Sequence, residues 1–275
     1  MGQGDPVNVI AVTSGKGGVG KTNVAVNLAV ALAEARRAVL LFDADLGLAN
    51  VDVTLGLKPR RDISDVLAGD CELAEILMAG PGGIRIVPAA SGVSRMARLG
   101  AREQSGLVQA FNDLPGTLDT LLVDTGAGID PAVLTFASAC PEVIVVICDE
   151  PTSLTDAYAL IKVLARDHGV KGFQLLANMV DNELQGRRLF DKLCGVADRH
   201  LDVSLGYLGY VPRDNYLRRA VRRQQPVLLA FPRAPSAVAL RAVADRLLRS
   251  PRPAAVPGGV GFFLERMLDS GAGNG

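Results

Sequence analysis

Apolar positions along the chain fall into two rhythms. Short runs of consecutive hydrophobic residues occupy 7–13, 38–42, 84–88, 120–124, 143–148, 172–178 and 204–211. Between them lie stretches such as 23–35, 152–167, 183–199 and 236–249, where apolar residues return every three or four positions. The first rhythm predicts strands that are hydrophobic on both faces, the second helices with a buried side. Their alternation implies right-handed crossovers, and so an α/β domain with a mainly parallel sheet and helices on both faces. One such domain is expected over residues 1–249.

The rhythm stops there. Residues 250–259 read SPRPAAVPGG, whose three prolines and two glycines predict a stiff, non-helical linker. Written as a helix, 260–269 places Val260, Phe263, Leu264, Met267 and Leu268 on one face, with Glu265, Arg266 and Asp269 opposite. A flexible glycine-rich end, 270–275, follows. Arg213, Arg218, Arg219, Arg222 and Arg223 form a basic run on a further predicted helix. A solvated face and a patch for DNA, lipid or an acidic partner are both open readings of that run.

Composition narrows the picture. About half the residues are apolar (49%) and few are aromatic (4%), as expected of helices packed on a buried sheet. The 29 basic and 29 acidic side chains cancel, so nucleic-acid binding would need a local patch rather than a global field. Cys71, Cys140, Cys148 and Cys194 form no paired motif, and His168 and His200 stand far apart. That pattern argues against zinc, an iron–sulfur cluster and a disulfide framework. No basic-then-apolar leader and no uncharged run of membrane-spanning length is present, so a cytoplasmic protein is expected.

The candidate chemistry starts where the first predicted strand ends. Residues 15–22 read GKGGVGKT and fit G-x-x-x-x-G-K-T, between a strand and an apolar helix. In that setting Gly15, Gly17, Gly18, Val19 and Gly20 let backbone N–H groups surround phosphate oxygens at a helix N-terminus. Lys21 is expected on the β- and γ-phosphates, and the Thr22 hydroxyl on Mg²⁺. Asp43 and Asp45 lie at the end of the second run, at a strand edge where ligands bind in open α/β sheets. Capping of a following helix by one of these acids is an alternative role. Asp124 ends the apolar run TLLVD, before a glycine-containing loop with Gly126 and Gly128.

The early lysine of KGGVGKT, Lys16, makes the loop resemble the deviant Walker A box of the MinD/ParA superfamily. The resemblance covers nearly the whole chain and implies an ATPase that dimerises around ATP and Mg²⁺. It implies that Lys16 acts in trans on the partner's ATP, as an arginine finger does. By the same resemblance Asp45 orients the attacking water, Asp43 assists through the Mg²⁺ shell, and Asp124 holds a Mg²⁺-bound water. Asn178, in LLANMV, matches the adenine-reading residue, and Pro212, in YVPRD, the loop closing over the base. A plain strand-end turn is the alternative at both places. No guanine-reading Asn-Lys-x-Asp motif is present.

Further stretches, DADLGLANVD at 43–52, IVPAASG at 86–92 and CDEPTSLTDAYALIK at 148–162, are similar to the FlhG/FleN family of flagellar-number regulators. That likeness implies a slow, dimer-dependent ATPase controlling flagellar number and placement, with the transcription activator FleQ as partner. It brings in the GTPase FlhF as a second partner. Some members carry an N-terminal DQAxxLR-type helix that stimulates FlhF, and MGQGDP has no such pattern. The 260–269 segment is similar to the family's membrane-targeting helix, so reversible membrane contact through Phe263, Leu264, Met267 and Leu268 is one reading. Docking of that helix on its own domain is the other. A ParA-like partition ATPase that uses the arginine run on nonspecific DNA is the alternative function; specific DNA binding is not expected. An iron–sulfur carrier shares the fold but lacks its paired cysteines here.

Overall fold

The computed structural model describes residues 7–45, 51–88, 109–111, 113–114, 116–250 and 266. The elements run β1 (Asn8–Ser14), α1 (Lys21–Glu34), β2 (Val39–Ala44), α2 (Val51–Leu55), α3 (Ile63–Ala68), α4 (Leu73–Ile76), β3 (Met78–Ala79) and β4 (Arg85–Val87). They continue with β5 (Thr120–Ala127), α5 (Pro131–Ala139), β6 (Glu142–Ile147), α6 (Pro151–Asp167) and β7 (Gly172–Val180). The last are α7 (Glu183–His200), β8 (Ser204–Pro212), α8 (Asn215–Arg222), α9 (Val227–Ala230) and α10 (Pro235–Arg249).

Among the described residues the strands form one eight-stranded sheet in the order β3-β4-β2-β5-β1-β6-β7-β8. Every pairing is parallel except the short β3–β4 contact. The central strands are unbroken apolar runs because both faces are covered: every residue of β6 (EVIVVI) is buried. One face carries a core built with α5, α6 and α7, where Phe42 meets Phe111 and Phe136 edge-on. The other carries α1, α9 and α10. Helix α1 is apolar nearly all round because it lies between the sheet and α10, with ten of its residues buried. Truncating Leu28 to Ala in that layer would cost about 2–5 kcal/mol.

Strand order decides what meets at the C-terminal edge. Because β2, β5 and β1 are neighbours, Asp43 pairs in register with Asp124, and Asp124 with Val12 just before the glycine loop. Three segments distant in sequence thus deliver their functional ends to one place.

The structure adds elements that the hydrophobic rhythm did not announce: α2 to α5, α9 and the antiparallel strand β3. It also shifts boundaries. Helix α1 begins at Lys21, so Lys21 and Thr22 belong to its first turn. Strand β5 runs on to Ala127, so Gly126 lies within a strand, where a β-carbon would come 3.1 Å from Val133. The expected linker and tail helix lie outside the described residues except for Ser250 and Arg266. Arg266 is helical and half-buried, and its charge counters the upward push that burial gives the Cys140 thiol.

Candidate functional site

Gly20 precedes helix α1 as its N-cap, and its positive φ of 83° leads the chain out of the loop into the first turn. That turn contains no acidic residue, so its free N–H groups and the helix dipole present uncompensated positive potential. Gly15 packs so tightly on α6 that a β-carbon there would lie 2.1 Å from the Asp156 carbonyl carbon. A β-carbon on Gly20 would lie 2.5 Å from Asn178 Nδ2. The loop is therefore clamped between α6 and the end of β7.

Lys21 is 6% exposed, and its ammonium donates to Asp124 Oδ1 at 2.7 Å and lies 4.0 Å from Asp45 Oδ2. Asp124 is fully buried. That burial pushes its carboxyl above the usual value, against the opposing pull of Lys21 and the Thr22 hydroxyl. Its Oδ2 has no partner of ordinary hydrogen-bond geometry. Asp43 accepts from Asp45 N at 3.2 Å and from Val51 N, the first residue of α2, at 3.0 Å. The capping reading of this acid therefore has a structural counterpart, with Asp43 anchoring α2 through the N–H of Val51.

On the far side, Asn178 is 2% exposed and donates Nδ2 to Val19 O at 2.7 Å. Its Oδ1 is buried without a hydrogen-bond partner. Pro212 is brought beside it, since Asn178 pairs with Val211 and Val180 with Pro212. Gly128 N donates to Ser14 O at 2.9 Å, tying the loop after β5 to the end of β1.

Lys16 stands apart. Its ammonium donates to Glu150 Oε2 at 2.5 Å and to Thr152 Oγ1 at 2.8 Å rather than to Asp45 or Asp124. The hydrogen bond to Glu150 raises the Lys16 pKa. Sequence reasoning missed Glu150 and Thr152 as site residues. Their place just beyond β6, at the edge where the other site residues gather, is the signal that could have found them. A separate cleft of about 570 Å³, walled by α3, α4 and the residues Gln109, Ala110, Asp113 and Leu114, shares no residue with this constellation.

The phosphate loop, buried lysine and converging aspartates define a nucleotide-binding protein, and the family comparison agrees. Residues 10–227 match the CobQ/CobB/MinD/ParA nucleotide binding domain, and the chain belongs to that family. It is similar to the Antiactivator FleN of Pseudomonas aeruginosa, 56% identical over 268 residues that span 98% of this chain and 96% of that one. It is also 36% identical to the Flagellum site-determining protein YlxH of Helicobacter pylori, over 78% of this chain and 73% of YlxH. Among solved structures it resembles the septum site-determining protein MinD complexed with Mg-ADP from Pyrococcus horikoshii. That match has a TM-score of 0.68 and 28% identity, covering 89% of this chain and 98% of that one.

Proposed function

We propose that this chain is an ATP-switched regulator of flagellar number, which dimerises around its nucleotide and restrains a flagellar transcription activator. The likeness to an antiactivator over nearly the full length supports the output. The observation that carries the mechanism is the position of Lys16: it belongs to the phosphate loop, yet its ammonium is held outside the cluster of Lys21, Asp45 and Asp124.

The residues present fit Mg-ATP. The orphaned Asn178 Oδ1 is a buried acceptor suited to the exocyclic amine of adenine, and it would oppose the carbonyl oxygen of guanine. The orphaned Asp124 Oδ2 is suited to a metal-bound water. When bound, Mg-ATP supplies the transferable γ-phosphoryl group and the cation that neutralises it. Gly15 to Gly20 and Lys21 would cradle the phosphates, Thr22 would ligate the metal, and Pro212 would close on the base. Asp43 already holds the backbone of Asp45 and α2, so it would serve the metal through the water shell. Asp45 would orient the attacking water, where positioning rather than basicity governs the rate. Lys16 would leave Glu150 and add its charge to the partner's site.

Among the described residues no helix is long and apolar enough to cross a membrane. The membrane contact expected of Phe263, Leu264, Met267 and Leu268 lies outside the described residues.

The test is solution mass with ADP and with Mg-ATP for wild type, Lys16→Ala and Asp45→Ala, alongside flagellar counts in a complemented deletion strain. The mechanism expects monomers with ADP, a dimer with ATP, and an ATP-locked dimer for Asp45→Ala. Lys16→Ala should lose hydrolysis or the dimer, and the strain carrying it should overproduce flagella. Masses that ignore nucleotide in all three proteins would sink the sandwich-dimer mechanism.

A further inference from the structure

In a chain of zero net charge, residues 213–233 hold six arginines, no lysine and a single acid, Asp214. That acid is already engaged, accepting from Tyr216 N at 2.8 Å and from the Ser236 hydroxyl at 2.6 Å. Arg218, Arg219, Arg222 and Arg223 lie within one arc of α8 and its end, and all four are exposed. Among the described residues no carboxylate lies within ion-pair distance of any of them.

Two of these guanidiniums are held in place without a counter-charge. Arg219 lies 5.0 Å from the Phe231 ring centroid and 5.6 Å from that of Tyr216, and Arg223 lies 5.1 Å from Phe231. The two rings are themselves packed at 5.2 Å. Stacking of this kind orders a guanidinium while leaving its N–H edge open for bidentate pairing. Beside the cations, Tyr216, Val221 and Leu229 are 45%, 38% and 44% exposed.

We propose that this arginine–aromatic face docks an acidic, partly apolar segment of the partner protein. The inference rests on the reading that the molecule's output is protein binding, and it assigns that output a surface. Charge complementarity sets the sign of the occupant, and pre-ordered arginines reduce the entropy lost on capture. The residue mixture sets its class. Arginine and aromatics without lysine, interleaved with exposed aliphatics, is the composition of a protein interface core, whereas phosphate tracking uses lysine freely and needs no aliphatics. The face is also mechanically joined to the nucleotide site. Gln224, next to Arg223, donates to Val53 O on α2 at 2.8 Å, and α2 begins at the Val51 N–H held by Asp43.

The test uses the full chain with a non-hydrolysable ATP analogue and the purified flagellar transcription activator of the same organism. Two variants are compared with wild type: Arg218→Glu/Arg222→Glu, which disturbs no described contact, and Arg219→Gln/Arg223→Gln, which removes the stacked pair. Both should weaken activator binding at least about tenfold while keeping nucleotide binding and the ATP-dependent mass, and wild-type binding should weaken with salt. Equal binding by wild type and both variants overturns the surface while leaving the regulator reading intact. If wild type itself ignores the activator, the regulator reading falls and takes this surface with it. Should the variants bind the activator normally yet lose affinity for a random-sequence DNA duplex, the face belongs to nucleic acid and the proposal is wrong.

Discussion

One methyl group at Gly15 should disable the site without altering any charge. A β-carbon there would sit 2.1, 2.3 and 2.4 Å from three backbone atoms of Asp156 and Ala157, in the middle of α6. Backbone cannot rotate aside as a side chain can, so loop or helix must yield about 1.3 Å to reach an ordinary carbon contact. Overpacking of this kind costs about 1–3 kcal/mol, roughly 2–12 °C in Tm for a domain of this size. The functional loss should be larger in relative terms, because a shift near 1 Å in a positioned site costs on the order of 100-fold. Gly17→Ala is the matched control for stability alone, since nothing in the protein lies within 4 Å of the added carbon and its φ is not positive. Thermal melts and titration with a fluorescent ATP analogue report both quantities. Wild-type affinity and Tm in Gly15→Ala would falsify the packing of this loop on α6, and with it the placement of Lys16 beside Glu150.

Three other outcomes follow from the same geometry. Glu150→Gln removes the charge that holds Lys16 and should lower the ATP-dependent dimer dissociation constant by up to about fivefold, in the range of exposed ion pairs; sedimentation equilibrium measures it, and a weaker dimer contradicts the idea. Asn178→Ala should cost about 2–10-fold in ATP affinity and leave GTP affinity unchanged or improved, since one neutral hydrogen bond is lost; competition binding reads the ratio. Asp214→Ala removes the cap of α8 and the bonds to Ser236, costing about 1–2 kcal/mol at neutral pH. Burial alone would raise the Asp214 carboxyl, but hydrogen bonds from Ser236 and Tyr216 outweigh it and lower the pKa below 3.8. Its stabilisation is thus fully present above 3.8 and is lost as pH falls through the lowered value, so melts of wild type and variant should converge only in that acid range.

Much of this molecule was legible in its sequence because the governing interactions are local or periodic. A strand buried on both faces must be continuously apolar, as 143–148 is, and a phosphate loop between strand and helix declares itself through glycines at fixed spacing. Element α5 was not announced: its run PAVLTFASA is too short and too uniformly apolar to show helical periodicity, and only Pro131 at its first position marks a start. The partners of Lys16 were hidden for another reason. Glu150 and Thr152 lie 134 and 136 residues away, and only the order of β1 beside β6 brings them to the loop. Likewise the arginine run was plain in the sequence, whereas Phe231, which orders it, was not. The second role of Asp43 was hidden for a similar reason, since the sequence between it and Val51 gives no local sign of that contact.

The contact between Lys16 and Glu150 has a consequence at the scale of the cell. If Lys16 acts on a second copy, as proposed, output depends on encounters, and at low abundance it rises with the square of copy number. Doubling the protein would quadruple the active species, and halving it would cut that species to about a quarter. Because the tie is an exposed ion pair, its grip also loosens as ionic strength rises. A regulator of how many organelles a cell builds would then carry its own means of counting, with abundance itself as the message.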